Sequence, residues 1–166
     1  MIEVLFKKLD ENALIPNRKH EGDAGYDLKA VSCKYDPVYD RYIYGLGFAT
    51  KIPLGYEAEI RPRSGNTKTE AYIPNGPGTI DSGYTGEWKI IYKLRTPIQE
   101  LFPNGIDDLA ILEMENEYVP YKEGDLIAQV LFHKTEDVIF PVVDELPSTD
   151  RGADGGVNRT DTNFKS

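Results

Sequence analysis

Fifteen glycines and eleven prolines are spread along the whole of this 166-residue chain, and that scatter constrains the fold more than any other feature. Each one punctuates local structure, so the chain is cut into short segments with no single linker dividing two domains. Segments of this length point to many short strands. Alternation is clearest at Glu87 to Leu94, where Trp88, Ile90, Tyr92 and Leu94 share one face while Glu87, Lys89 and Lys93 point away. Tyr56, Ala58 and Ile60 alternate with Glu57, Glu59 and Arg61 until Pro62, which lacks a ladder donor and ends the pairing. Arg63 and Ser64 therefore sit just past a strand. Leu126 to Phe132 is almost continuously apolar, the pattern of a strand buried on both faces, with Gln129 as its one polar interruption. Further strands are expected at Ile2 to Phe6, Tyr26 to Val31, Arg41 to Ala49, Ala110 to Tyr118 and Val138 to Val143. No long helical period competes and no internal repeat is present. The expectation is one all-β domain: a sandwich, jelly roll or barrel.

Apolar residues make up 40% of the chain, with 11 Tyr, 6 Phe and 1 Trp, enough to bury a sizeable core. The balance of 19 basic against 28 acidic residues, net −9, argues against a broad grip on DNA or RNA, whose affinity comes from cations replacing counterions on phosphates. No nucleic-acid partner is expected; a small phosphorylated ligand stays open. The single cysteine, Cys33, excludes an intramolecular disulfide and any Cys-based zinc cluster, and fits a reducing compartment. No stretch approaches the roughly 20 apolar residues that span a bilayer. The chain is expected to be cytoplasmic, whether cellular or an intracellular viral or phage protein, with no membrane partner.

Arg63-Ser64-Gly65 offers a guanidinium fork, a hydroxyl and a permissive glycine at a strand end, which together can cradle phosphate oxygens. The same tripeptide also serves as an ordinary surface turn. Asn75 to Gly86 is a dense turn region that reads as a hairpin leading into the strand at Glu87. In it, Asp81 can take a proton from water as a general base or cap its own backbone. Tyr84 can lay a flat surface against a sugar or base, or simply pack. Asp27 can meet a hydrated magnesium ion or act as a turn residue. Gln129 must find partners for its amide, and a core hydrogen bond is one answer. After Ser148 the chain turns polar and glycine-rich; Arg151, Gly155, Gly156, Val157 and Arg159 form either a frayed terminus or a segment able to close over an anion.

Taken in order, these segments resemble the five motifs of the homotrimeric dUTPase family, the dUTP diphosphatases. Asp23 to Ala30 matches the first motif, Arg61 to Gly65 the second, and Asn75 to Gly86 the third, with Gly-x-Ile-Asp-x-x-Tyr-x-Gly intact from Gly78 to Gly86. Gly-Asp-x-Ile-Ala-Gln from Gly124 to Gln129 lies within the fourth, and Arg151 to Thr160 is a degenerate fifth. The resemblance implies a distorted jelly-roll or β-barrel subunit over residues 1–148 and a C-terminal tail over 149–166. It further implies a threefold homotrimer with active sites at subunit interfaces, cleaving dUTP to dUMP and pyrophosphate with Mg2+. By the same resemblance Asp81 activates the water that attacks the α-phosphorus, and Tyr84 packs on the deoxyribose. Asn75 and the backbone at Gly78 recognise uracil; Arg63, Ser64 and Gly65 hold the phosphate chain; Gln129 bonds phosphate or water; Asp27 binds magnesium through water. Arg151, Gly155, Gly156 and Val157 supply the tail's part, with Val157 standing where the family carries a base-stacking aromatic and Asn158-Arg159-Thr160 replacing Gly-Ser-Thr.

The stretch from Thr96 to Glu123 is expanded, an extra hairpin or loop that is either neutral or a surface for a protein partner. Two alternatives share the fold. A dCTP deaminase is expected to carry Arg-Ser-Ser, a Trp in the third motif and a glutamate close to position 91, where this chain has Ile91. A non-catalytic nucleotide-binding or regulatory protein would keep the pocket without turnover.

Overall fold

The computed structural model describes residues 1–149; the expectations for Arg151, Gly155, Gly156 and Val157 lie outside them. The chain divides into two units, Met1–Glu136 and Asp137–Ser166, and all the described strands and helices belong to the first. These are β1 (Leu5–Lys8), β2 (Tyr26–Lys29), β3 (Ser32–Asp36), β4 (Arg41–Lys51), β5 (Tyr56–Pro62), β6 (Ala71–Tyr72), β7 (Gly78–Ile80), β8 (Glu87–Leu94), α1 (Ile98–Leu101), α2 (Asp108–Asn116) and β9 (Leu126–Lys134), with a 3-10 turn at Ser64–Lys68. One sheet runs β1-β4-β8-β6, with β3 also on β4; the other runs β2-β9-β5-β7. Every described strand pair is antiparallel, giving an all-β jelly roll.

The period-two reading of β8 holds: Trp88, Ile90 and Tyr92 are buried and Lys89 is exposed. β4 brings Tyr42, Tyr44, Leu46 and Phe48 to the core. Buried phenols need partners, and these find backbone carbonyls. Tyr42 donates to Met114 at 2.9 Å, Tyr44 to Tyr121 at 2.9 Å, and Tyr92 to Ile127 at 2.7 Å. Burial pushes all three phenols well above their ordinary pKa, so they act as neutral donors. Midway along β4 the register to β8 shifts at a bulge containing Gly47, whose φ of +66° suits glycine. The Gly47 N–H donates to Glu87 Oε1 at 3.1 Å, so the bulge holds the first residue of β8.

Four expectations are corrected. Ala110 to Tyr118 is not a strand: Asp107 caps α2 by accepting from the Ala110 N–H at 2.9 Å, and Ala110 and Met114, one turn apart, are its buried side chains. The 96–123 expansion is accordingly α1 and α2, not a hairpin or loop. Val138 to Val143 forms no strand either. Its β-branched residues suit a sheet, but a strand needs a neighbour for its backbone groups, and Phe140 and Val142 are 87% and 100% exposed. The Asn75–Gly86 segment is no hairpin, because β7 pairs with β5 in one sheet while β8 pairs with β4 and β6 in the other. Smaller shifts put β1 at Leu5–Lys8 rather than Ile2 to Phe6, end β2 at Lys29, and add the polar strand β3.

Candidate active site

Pro62 ends β5 as expected, and the chain turns at Arg63 into the 3-10 turn that starts with Ser64 and Gly65. The neighbouring strands supply the company. Asp27 on β2 lies opposite Gln129 on β9, and Gln129 lies opposite Arg61 on β5. The Arg63 Nε donates to Asp27 Oδ1 at 2.7 Å and its Nη2 to Oδ2 at 3.4 Å, a two-pronged ion pair, while Nη1 reaches the Leu126 carbonyl at 3.3 Å. Gln129 Nε2 donates to the Pro62 carbonyl at 3.0 Å. Sequence reasoning did not anticipate why Gly25 precedes this strand: a Cβ there would lie 2.3 Å from Gln129 Oε1 and 3.0 Å from its Cδ. Only glycine leaves the amide head where it is. Arg63, Asp27, Gln129, Ser64 and Gly65 thus form one cluster.

Asp81 and Tyr84 form another. Asp81 is exposed directly after β7, in a turn closed by the Tyr84 N–H on the Asp81 carbonyl at 3.0 Å. Tyr84 is 44% exposed, and its hydroxyl donates to the Glu87 carbonyl at 2.8 Å. The ring lies across Gly86, where a Cβ would meet Tyr84 Oη at 2.7 Å. Lys51 at the end of β4 adds a tether, donating to the Ser82 carbonyl at 3.0 Å; no motif in the sequence pointed to it. Beside this turn is a small cavity of about 60 Å³ lined by Ile60, Ile73, Asn75, Gly78, Thr79 and Ile80, among others. A Cβ on Gly78 would stand 3.8 Å from the Asn75 amide nitrogen, in ordinary contact with it.

The two clusters are not joined within one chain. β7 runs antiparallel to β5 with Ile80 opposite Ala58, so Asp81 departs near one end of β5 and Arg63 from the other. The five steps from Ala58 to Arg63 span about 17 Å at strand rise. One cluster is suited to oxygen-rich anions through its guanidinium and amide. The other offers a carboxylate and a flat ring next to a narrow cavity. The fold and these clusters define an all-β protein whose side-chain chemistry suits an anionic ligand with a planar part.

Comparison with known proteins makes the class specific. The dUTPase family model matches residues 11–100. A deoxyuridine 5'-triphosphate nucleotidohydrolase of Clostridium acetobutylicum is 35% identical over 156 residues, covering 93% of this chain and 94% of that protein. Another, of Corynebacterium glutamicum, is 37% identical over 149 residues, 89% of this chain and 88% of that one. Among solved structures, a mutant dUTPase of phage 80alpha aligns with a TM-score of 0.71 at 25% identity, covering 95% of this chain and 98% of its own. The chain belongs to the dUTPase family.

The one carboxylate of the first cluster could meet a hydrated magnesium ion through water. No group of three or more His, Cys, Asp or Glu side chains is placed to hold a metal among the described residues. Asp27 is engaged by Arg63, yet a carboxylate has about four lone-pair directions and so keeps capacity to accept from a metal-bound water. Magnesium dehydrates reluctantly and is commonly held by one or two carboxylates together with substrate phosphates, a demand that Asp27 could meet in part. No described helix is long and apolar enough to cross a membrane.

Proposed function

We propose that this chain hydrolyses dUTP to dUMP and pyrophosphate as a homotrimer, its active sites assembled between chains. The observation that carries this is the separation of the two clusters along β5: each holds half of what the reaction needs, and a second copy brings the halves together. The exposed apolar residues of Val138 to Val143 favour assembly too, since such a surface asks for cover.

In the reaction Asp81 takes a proton from a water whose oxygen bonds to the α-phosphorus. The bond from that phosphorus to the bridging oxygen breaks, and pyrophosphate leaves with the electron pair. Arg63, Ser64 and the Gly65 backbone hold the phosphate chain and stabilise charge on the departing oxygens. Gln129 bonds phosphate or the attacking water. Tyr84 packs against deoxyribose, excluding a 2′-hydroxyl, and Asn75 with the backbone at Gly78 reads uracil in the small cavity. Magnesium, when bound, offsets phosphate charge, and Asp27 would hold one of its waters. Arg151, Gly155, Gly156 and Val157 of the tail would close over the nucleotide. The exposed Leu109 and Leu112 on α2 are the surface a protein partner would use, and the unpaired Cys33 suits a reducing intracellular compartment.

The test is pyrophosphate release from dUTP, dTTP, UTP and dCTP with magnesium, using the full chain and one truncated after Thr149. The expected result is cleavage of dUTP alone, lost on truncation. Tight binding of dUTP with no cleavage would favour the regulatory alternative, and ammonia release from dCTP the deaminase.

A further inference from the structure

The 3-10 turn Ser64–Lys68 buries none of its residues, and its N-cap Arg63 makes no side-chain capping bond. A five-residue turn of this kind has poor hydrogen-bond geometry and little packing of its own, yet it carries Ser64 and Gly65. Locally the Thr67 hydroxyl donates to the Ser64 carbonyl at 2.8 Å and the Thr69 hydroxyl to the Asn66 carbonyl at 2.9 Å, while the tie to Ala71 and Tyr121 beyond the turn runs through the Asn66 side chain. Asn66 Nδ2 donates to the Ala71 carbonyl at 2.9 Å, while Asn66 Oδ1 accepts from the Tyr121 hydroxyl at 2.7 Å and the Thr69 hydroxyl at 3.2 Å.

Tyr121 is held in turn by the core. Its backbone N–H donates to the Tyr44 hydroxyl at 3.1 Å and its carbonyl accepts from that hydroxyl at 2.9 Å, with Tyr44 fully buried. Its ring packs on Tyr92 at 5.1 Å between centroids, and Tyr92 bonds the Ile127 carbonyl on β9, the strand that carries Gln129. Burial raises the Tyr121 phenol above its ordinary pKa, so it stays a donor at neutral pH.

We infer that Tyr121, near the end of the 96–123 insertion, is a positioning residue for the phosphate-binding turn and acts through Asn66. This rests on the function proposed above, in which that turn holds the triphosphate. Tyr121 touches no substrate; it fixes the Asn66 amide, which fixes the turn. The insertion, joined at this residue to both the tyrosine core and the turn, thereby has a physical connection to the phosphate half of the site.

Calorimetric titration of the full chain tests this with three probes: a non-hydrolysable imido analogue of dUTP, inorganic pyrophosphate, and deoxyuridine, which has no phosphate. Tyr121→Phe removes one hydroxyl and keeps the ring. The analogue and pyrophosphate should each bind about fivefold more weakly, the fold-change of one neutral hydrogen bond, with deoxyuridine unchanged. Tyr118→Phe, in the same insertion with its ring on Phe102, should bind all three normally. In an Asn66→Ala background, Tyr121→Phe should add nothing. Unchanged pyrophosphate affinity in Tyr121→Phe, an equal loss for deoxyuridine, or the same factor in the Asn66→Ala background would each overturn the inference. If the unmodified chain binds neither the analogue nor pyrophosphate, the proposed function itself falls.

Discussion

Asp81→Asn should lower kcat for dUTP by roughly 10²- to 10⁴-fold, the usual span for a positioned general base, while leaving the nucleotide's affinity nearly unchanged. Asparagine keeps the size of the side chain but its amide cannot take the proton. The surrounding turn is held by groups other than the carboxylate: the Tyr84 N–H on the Asp81 backbone carbonyl, Lys51 on the Ser82 carbonyl, and the Tyr84 hydroxyl on Glu87. The substitution therefore separates chemistry from binding. Stopped-flow detection of pyrophosphate gives kcat, and calorimetry gives the affinity. Retained turnover would remove Asp81 as the base.

Arg63→Met should reduce kcat/KM by about a hundredfold, since charge-assisted hydrogen bonds contribute about 1.5–3 kcal/mol each and each 1.4 kcal/mol is tenfold. The substitution does more than delete a donor. Asp27 is only 19% exposed, and without its partner a carboxylate is left facing an anionic ligand. Adding Asp27→Asn to Arg63→Met should restore part of the loss by removing that repulsion. Arg63→Lys should recover little, because an ammonium cannot reproduce the fork that meets both Asp27 oxygens. Steady-state kinetics across the series checks this; a double variant worse than Arg63→Met alone would show that Asp27 contributes chiefly through substrate or metal.

The strands that period-two patterning identified were those whose two faces differ. β8 alternates because one side meets the core and the other meets water, and β5 ended where Pro62 removed a donor. Leu112-Glu113-Met114-Glu115 alternates as well, and so α2 read as a strand. The Asp107 cap and a run of Ala, Leu, Met and Glu decide for helix there. Val138 to Val143 failed for another reason: propensity is local, but the neighbour that makes a strand is not. β3 escaped notice because Ser32, Lys34 and Asp36 are polar on an edge strand.

The site was legible as chemistry and illegible as distance. Arg63, Asp27 and Gln129 each carry a group that suits either a binding or a structural use, and the register of β2, β9 and β5 does bring them together. That Asp81 lies toward the other end of β5 depends on long-range pairing with β7, which no local spacing reveals. Lys51 and the Asn66–Tyr121 bond act through contacts across the fold, so nothing beside them in the sequence announces them, whereas Gly25 lies inside the Asp23 to Ala30 motif and only its reason, the Gln129 amide, is long-range.

On the function proposed here, one catalytic site takes Asp81 and Arg63 from different chains. Mixing the Asp81→Asn and Arg63→Met chains, unfolding and refolding them together, and measuring dUTP hydrolysis checks this. Hybrid assemblies should contain sites in which an intact Asp81 from one chain meets an intact Arg63 from another, and activity should rise well above that of either variant refolded alone. A refolded mixture confirmed to contain both chains in one assembly, yet no more active than its parents, would contradict the claim.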